Sequence, residues 1–240
     1  MRNKRGQVTI FIIVAIIIVV GVASFFIFKD SIGIGGPESE AEEIYVFVQD
    51  CLEKVSEEVI YDVAQGGGHY FSSEAFTNSG ITVYLDGEKS YFPSKEKIEQ
   101  EISTFVSERL FFCTNNFKAF PEYNITSNEI ITKTQIFEEV IQLETKYPLI
   151  IKKGEDVSVI EDFEADVDLR VGIIHASIGE FLDTYNENGT CLSCLYDIIE
   201  NNDLYVDLFD YDNETTIFIF KDKMFKINEE DFEWIFANKN

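Results

Sequence analysis

An α+β fold follows from three features of the sequence. These are one uninterrupted apolar run near the start, two stretches with apolar residues at helical spacing, and several later segments of alternating polarity between turn residues. The first predicts a single N-terminal transmembrane helix. The others predict an extracytoplasmic domain of helices and mostly antiparallel strands. The expected regions are a basic segment with its apolar helix over 1–29, a flexible acidic linker over 30–43, and an acidic α+β domain over 44–240. The length also accommodates two smaller bodies, divided near 125–130.

From Val8 to Phe28 the 21 residues carry no charge. At about 1.5 Å per residue, a helix of that length spans about 30 Å, the thickness of a bilayer core. A cleavable secretory signal has a shorter apolar region followed by small residues. Here Gly21-Val22-Ala23-Ser24 lies inside the run, and Phe25-Phe26-Ile27-Phe28 follows it. Arg2, Lys4 and Arg5 precede the run, whereas Glu38, Glu40, Glu42 and Glu43 come after it. The positive-inside rule therefore keeps the N-terminus in the cytoplasm and sends the remainder outside. The expected location is the cell membrane, crossed once through residues 8–28, with an extracellular C-terminal domain.

Beyond the linker, with its Gly35-Gly36-Pro37, the residues Val48, Cys51, Leu52, Val55, Val59 and Val63 recur at intervals of three and four. That spacing predicts an amphipathic helix ended by Gly66-Gly67-Gly68. The segment ITVYLDGEKSYF alternates on both sides of Asp86-Gly87, a hairpin signal. Pro93-Ser94 opens a second helix, with Ile98, Ile102, Phe105, Cys113 and Phe117 assigned to one face. Strand-like alternation runs from Ile130 to Ile151, broken at Pro148, before a turn at Lys152–Asp156. Phe163 to Leu169 alternates again, and the pattern then turns helical through Ile173, Ile174, Ile178 and Phe181. A short helix is expected after Cys191. Four short strands follow, at Leu204–Phe209, Thr216–Phe220, Met224–Ile227 and Phe232–Phe236.

The residues Lys4-Arg5-Gly6-Gln7, placed directly before the apolar run, resemble the archaeal class III signal peptide of type IV pilin-like proteins. The resemblance covers about 25 residues. It implies a prepilin-type peptidase as partner, cutting between Gly6 and Gln7 and leaving the helix on the mature chain. Pilins commonly carry Glu at the fifth mature position; here Phe11 occupies it, which weighs against filament assembly. Within the domain, the Cys51 helix running into Gly67-Gly68-His69-Tyr70, the Cys113 helix, Tyr147-Pro148-Leu149 and Phe236-Ala237 are similar to a set of archaeal surface proteins with such an N-terminus. No activity is established for that set, so the likeness bears on fold and location alone.

All 44 Asp and Glu but only 15 of the 19 Lys and Arg lie after Lys29, leaving a formal charge of −29 on that part. Such a domain repels nucleic acid and anionic lipid, so neither is an expected partner. The abundance of Phe and Tyr argues for a packed core rather than disorder.

Four cysteines outside the cytosol invite disulfides. Cys51 and Cys113 lie on the apolar faces of two predicted helices, which would meet if those helices packed side by side. The alternative is a pair of buried free thiols, and four cysteines allow three pairings. Cys191-Leu192-Ser193-Cys194 has the spacing of a redox motif, since a thiol at a helix N-terminus becomes a stabilised thiolate. Its context, Asn188-Gly189-Thr190 late in the chain, favours a local structural clamp. Zinc would need two ligands beyond this pair, with only His69 and His175 available as histidines. The glycines before His69 lack the Lys-Ser/Thr of a phosphate loop. Asp210/Asp212 and Asp162/Glu164 match no calcium-loop spacing.

Asn124, Asn188 and Asn213 each begin an Asn-x-Thr acceptor for N-glycosylation, all in predicted loops. No catalytic, cofactor or metal constellation emerges. The expectation is a non-enzymatic, membrane-anchored surface protein with a binding or structural role in the envelope. The alternatives are an extracytoplasmic thiol-disulfide oxidoreductase using Cys191 and Cys194, or a pilin-like filament subunit.

Overall fold

The structure, a computed structural model, describes residues 41–71, 74–188, 191–227 and 230–239. The predicted membrane span at 8–28 and the processing pair Gly6 and Gln7 lie outside the described residues. Among the described residues no helix is long and apolar enough to cross a membrane. The chain divides into two compact units, residues 1–44 and 45–240. Of the first, only the opening turn of a helix is described; the second is an α+β body with mostly antiparallel sheets.

Helix α1, Glu42–Gln65, begins two residues before the predicted domain start. Glu42 and Glu43 sit in its first turn, where carboxylates favour the positive end of the helix dipole. Val48, Cys51, Leu52, Val55, Val59 and Val63 are all buried, as the spacing requires. Strands β1 (Val83–Asp86) and β2 (Lys89–Ser90) form the predicted hairpin. Asp86 pairs with Lys89, so the two turn residues are Gly87 and Glu88, one position later than the sequence signal. Gly87 supplies the positive φ of 59° that this turn needs.

Helix α2, Lys95–Thr114, is capped by the Ser94 hydroxyl, which accepts from the Lys97 amide at 3.3 Å. Phe117 is buried but does not continue the α2 face, a correction to the predicted stripe. The helix stops at Thr114, and Asn115 to Phe117 take positive φ angles of 45°, 52° and 54°. Asn tolerates that left-handed conformation better than most residues, so the paired Asn115-Asn116 ends the helix.

Strands β3 (Asn124–Ser127), β4 (Ile131–Ile136), β5 (Ile141–Lys153) and β6 (Asp156–Val167) make one sheet. β6 takes one edge of β5; β4 and β3 share the other edge in succession, against 141–146 and 149–152. Pro148 therefore does not break the strand, contrary to expectation. It sits where the β5–β6 register shifts and where β3 gives way to β4, so its missing N–H leaves no vacant ladder position. Its carbonyl accepts from the Asn128 amide at 3.0 Å. One face of this sheet buries Leu143, Tyr147, Leu149 and Phe163, and Tyr45 of α1 stacks on Phe163 at 5.1 Å.

The second sheet has the order β2-β1-β9-β8-β7, from β7 (Leu204–Asp210), β8 (Thr215–Ile227) and β9 (Glu230–Lys239). The two strands expected at Thr216–Phe220 and Met224–Ile227 are one. The ladder shifts between Lys221 and Lys226, and Asp222 turns inward there. β1 joins β9 in parallel. Helix α3, Val171–Asn188, lies on this sheet through Phe181, 5.0 Å from Phe218; Phe218, Phe236 and Tyr84 stack in turn. Each such fully buried ring contributes about 2–3 kcal/mol. Helix α4, Leu192–Asn201, connects α3 to β7.

Candidate functional site

Three places hold the chemistry-bearing residues: the glycine turn after α1, a groove beside His175, and the cysteine pair at the start of α4.

The glycine turn is a structural junction. Gly67 and Gly68 have φ angles of 61° and 81°, and their amides bond back to the Ala64 and Val63 carbonyls. A Cβ on Gly67 would lie 2.8 Å from the Ile235 carbonyl, and one on Gly68 the same distance from the Pro93 ring. The carbonyls are also taken: Gly66 accepts from the Thr82 hydroxyl and Gly67 from the Tyr84 hydroxyl, at 2.7 and 2.9 Å. Tyr84 in turn accepts from the Trp234 indole at 2.8 Å, and burial holds its phenol well above the ordinary range. Beyond the turn, His69 has its pKa lowered by burial, opposed by Glu101. Tyr70 stacks on Phe105 and accepts from the Arg109 guanidinium, which also bonds Asp62 at 2.9 Å.

The groove, of about 820 Å³, is lined by Lys95, the β4–β5 turn from Phe137 to Val140, and Gly172 and His175 of α3. A Cβ at Gly172 would collide with the Phe137 carbonyl, so glycine is what lets α3 reach this turn. His175 stacks on Phe92 at 4.6 Å, and its Nε2–H donates to the Pro93 carbonyl at 2.9 Å. Burial lowers its pKa, partly offset by that bond. Lys95 Nζ donates to the Ile136 carbonyl at 3.1 Å. Lys95 and His175 are thus both engaged by backbone carbonyls, while Glu138 and Glu139 line the same groove. Among the described residues no group of three or more His, Cys, Asp or Glu could hold a metal ion.

The cysteines form two pairs. Cys51 on α1 joins Cys113 on α2, with Cα atoms 5.9 Å apart and a sequence separation of 62. Cys191 joins Cys194 at a sequence separation of 3. Cys191 is the N-cap of α4, its Sγ accepting from the Cys194 amide at 3.3 Å and lying 3.5 Å from the Ser193 hydroxyl. Leu192 and Tyr196, beside the pair, are 58% and 60% exposed.

Of the glycosylation candidates, Asn213 is exposed in the β7–β8 turn. Asn124 is exposed too, but it is the first residue of β3 rather than part of a loop. Pairing with Lys152 draws it into the sheet edge. Asn188 is the last residue of α3.

Two arrangements left no recognisable trace in the sequence. One is a bidentate ion pair between Arg170 and Asp222, at 2.9 and 2.7 Å, both buried. The other is the cover over the free edge of β4: Ser107 Oγ accepts from the Thr132 amide and Glu99 from the Ile136 amide, at 3.1 and 2.9 Å. The groove did leave a signal, since Gly172, His175 and Ala176 recur at spacings of three and four beside the buried stripe of Val171, Ile174, Ile178 and Phe181. No family model matches the chain, and neither a curated protein nor a solved structure does.

Proposed function

We propose that this chain is a single-pass membrane protein whose acidic domain stands outside the cell in a non-catalytic binding or structural role. The observation that carries the reading is the charge-free run Val8–Phe28, with basic residues before it and an acidic chain after it. Support comes from the cysteines, all four of which are in disulfides, the state favoured by an oxidising compartment. Residues 8–28 would lie in the lipid bilayer. A prepilin-type peptidase would trim the chain after Gly6, leaving the helix as the anchor.

Fractionation of cells making a C-terminally tagged chain tests this. The tag should stay with membranes through alkaline washing and be removed by protease added to intact cells. Recovery of the whole polypeptide as a soluble cytosolic species would sink the proposal. Sequencing the mature N-terminus decides the processing step: Gln7 supports the peptidase, whereas Met1 or Arg2 removes it.

A further inference from the structure

We propose that Cys191–Cys194 is a redox-active disulfide that accepts two electrons from the dithiol of a partner protein, with Cys191 as the exchanging sulfur. This goes beyond the anchoring role and does not depend on it, and it gives the domain an exchange reaction in place of a purely structural clamp at this pair. The two disulfides differ in the ways that govern exchange. Cys51 is 5% exposed and Cys113 half-buried, so one sulfur of that bond is closed to attack and the other is held between two helices. Cys191 and Cys194 are half-buried at the start of a surface helix, with the exposed Leu192 and Ser193 between them.

The reduced forms differ as well. A thiolate on Cys51 would be stranded among apolar side chains, which disfavours opening the bond. A thiolate on Cys191 would sit at the N-cap of the ten-residue α4, facing the Cys194 amide and within reach of the Ser193 hydroxyl. Helix dipole, amide and hydroxyl all stabilise that charge. A disulfide whose reduced form is stabilised is the stronger oxidant. The exposed Leu192 and Tyr196 offer apolar surface against which a polypeptide bearing the dithiol can rest.

The exchange balances in two steps. A partner thiolate attacks Cys191 Sγ, a mixed disulfide forms, the Cys191–Cys194 bond breaks, and Cys194 leaves with the electron pair and takes a proton. The partner's second thiolate then attacks the partner sulfur of the mixed disulfide. Cys191 leaves as the stabilised thiolate, and the partner carries the new disulfide. Two electrons have passed from partner to protein.

The test uses the purified full chain in detergent, equilibrated with mixtures of reduced and oxidised glutathione and then trapped with a maleimide. Peptide mass spectrometry reads each pair. Cys191–Cys194 should open at a ratio of reduced to oxidised glutathione at least 100-fold lower than Cys51–Cys113 requires. In single variants, Cys191 of Cys194→Ser should be glutathionylated by oxidised glutathione at least tenfold faster than Cys194 of Cys191→Ser. Circular dichroism of each sample reports that the fold is intact. A Cys191–Cys194 bond that opens no sooner than Cys51–Cys113, or equal rates for the two variants, overturns the proposal. Fractionation scores the anchor separately, so the two ideas fail independently.

Discussion

Replacing Asp222 by Ala should be among the most damaging single changes in the domain, and the structure says why. Arg170, just before α3, is 4% exposed and Asp222 is fully buried. The guanidinium gives Nε and Nη2 to the two carboxylate oxygens and spends further N–H groups on the Asn202 and Asp203 carbonyls, at 3.0 and 3.2 Å. Asp222 Oδ1 also accepts from the Met224 amide at 2.8 Å, within the register shift of β8. This cluster pins the start of α3, the end of α4 and the irregular centre of β8 to one another. Removing the carboxylate leaves a cation in the interior without its counter-charge and strips an amide of its acceptor. Breaking a buried pair from one side costs about 3–5 kcal/mol. For a body of this size, 1 kcal/mol is about 2–4 °C in Tm, so a loss of about 6–20 °C is expected. Urea unfolding followed by circular dichroism checks this, with the slope unchanged and the midpoint lowered. The double variant Arg170→Met/Asp222→Leu should recover much of the loss, because no charge then needs solvation. A loss under about 1 kcal/mol for Asp222→Ala would refute the reasoning, as would a double variant no better than the single.

Two other outcomes follow from the helices. The paired variant Cys51→Ser/Cys113→Ser releases a loop of 62 residues and should lose about 2–4 kcal/mol by urea unfolding under oxidising conditions; an unchanged midpoint would mean the α1–α2 packing holds without the bond. His175 has a folded pKa below its ordinary 6.5, so the unfolded chain binds more protons as pH falls below that value. Stability is then full above about 6.5 and declines beneath it, and the drop in midpoint between pH 7.5 and 5.5 should shrink in His175→Gln.

Much of the fold is written in local patterns. The α1 stripe from Val48 to Val63, the Ser94 cap and the helix after Cys191 need only a few neighbouring residues to be read. One failure is local in origin and the other is tertiary. Asn115-Asn116 stopped α2 before Phe117, and Pro148 looked like an ending because its empty place beside β3 and β4 is visible only once both strands are docked on β5. The candidate redox pair was legible as a spacing; its position as the cap of α4, with an amide on Cys191 Sγ, was not.

What the sequence alone determined is therefore periodic and nearby: helices, turns, an α+β class and an acidic chain behind an apolar run. Tertiary structure decided which distant surfaces meet. Tyr84 and Trp234, 150 residues apart, share a hydrogen bond because β1 docks in parallel on β9. Asp222 becomes a buried counter-ion, although it is one of 44 acidic residues with nothing local to distinguish it. The reason is physical. Propensity and capping act over one or two helical turns, whereas pairing and burial depend on the whole set of apolar surfaces that must be covered together.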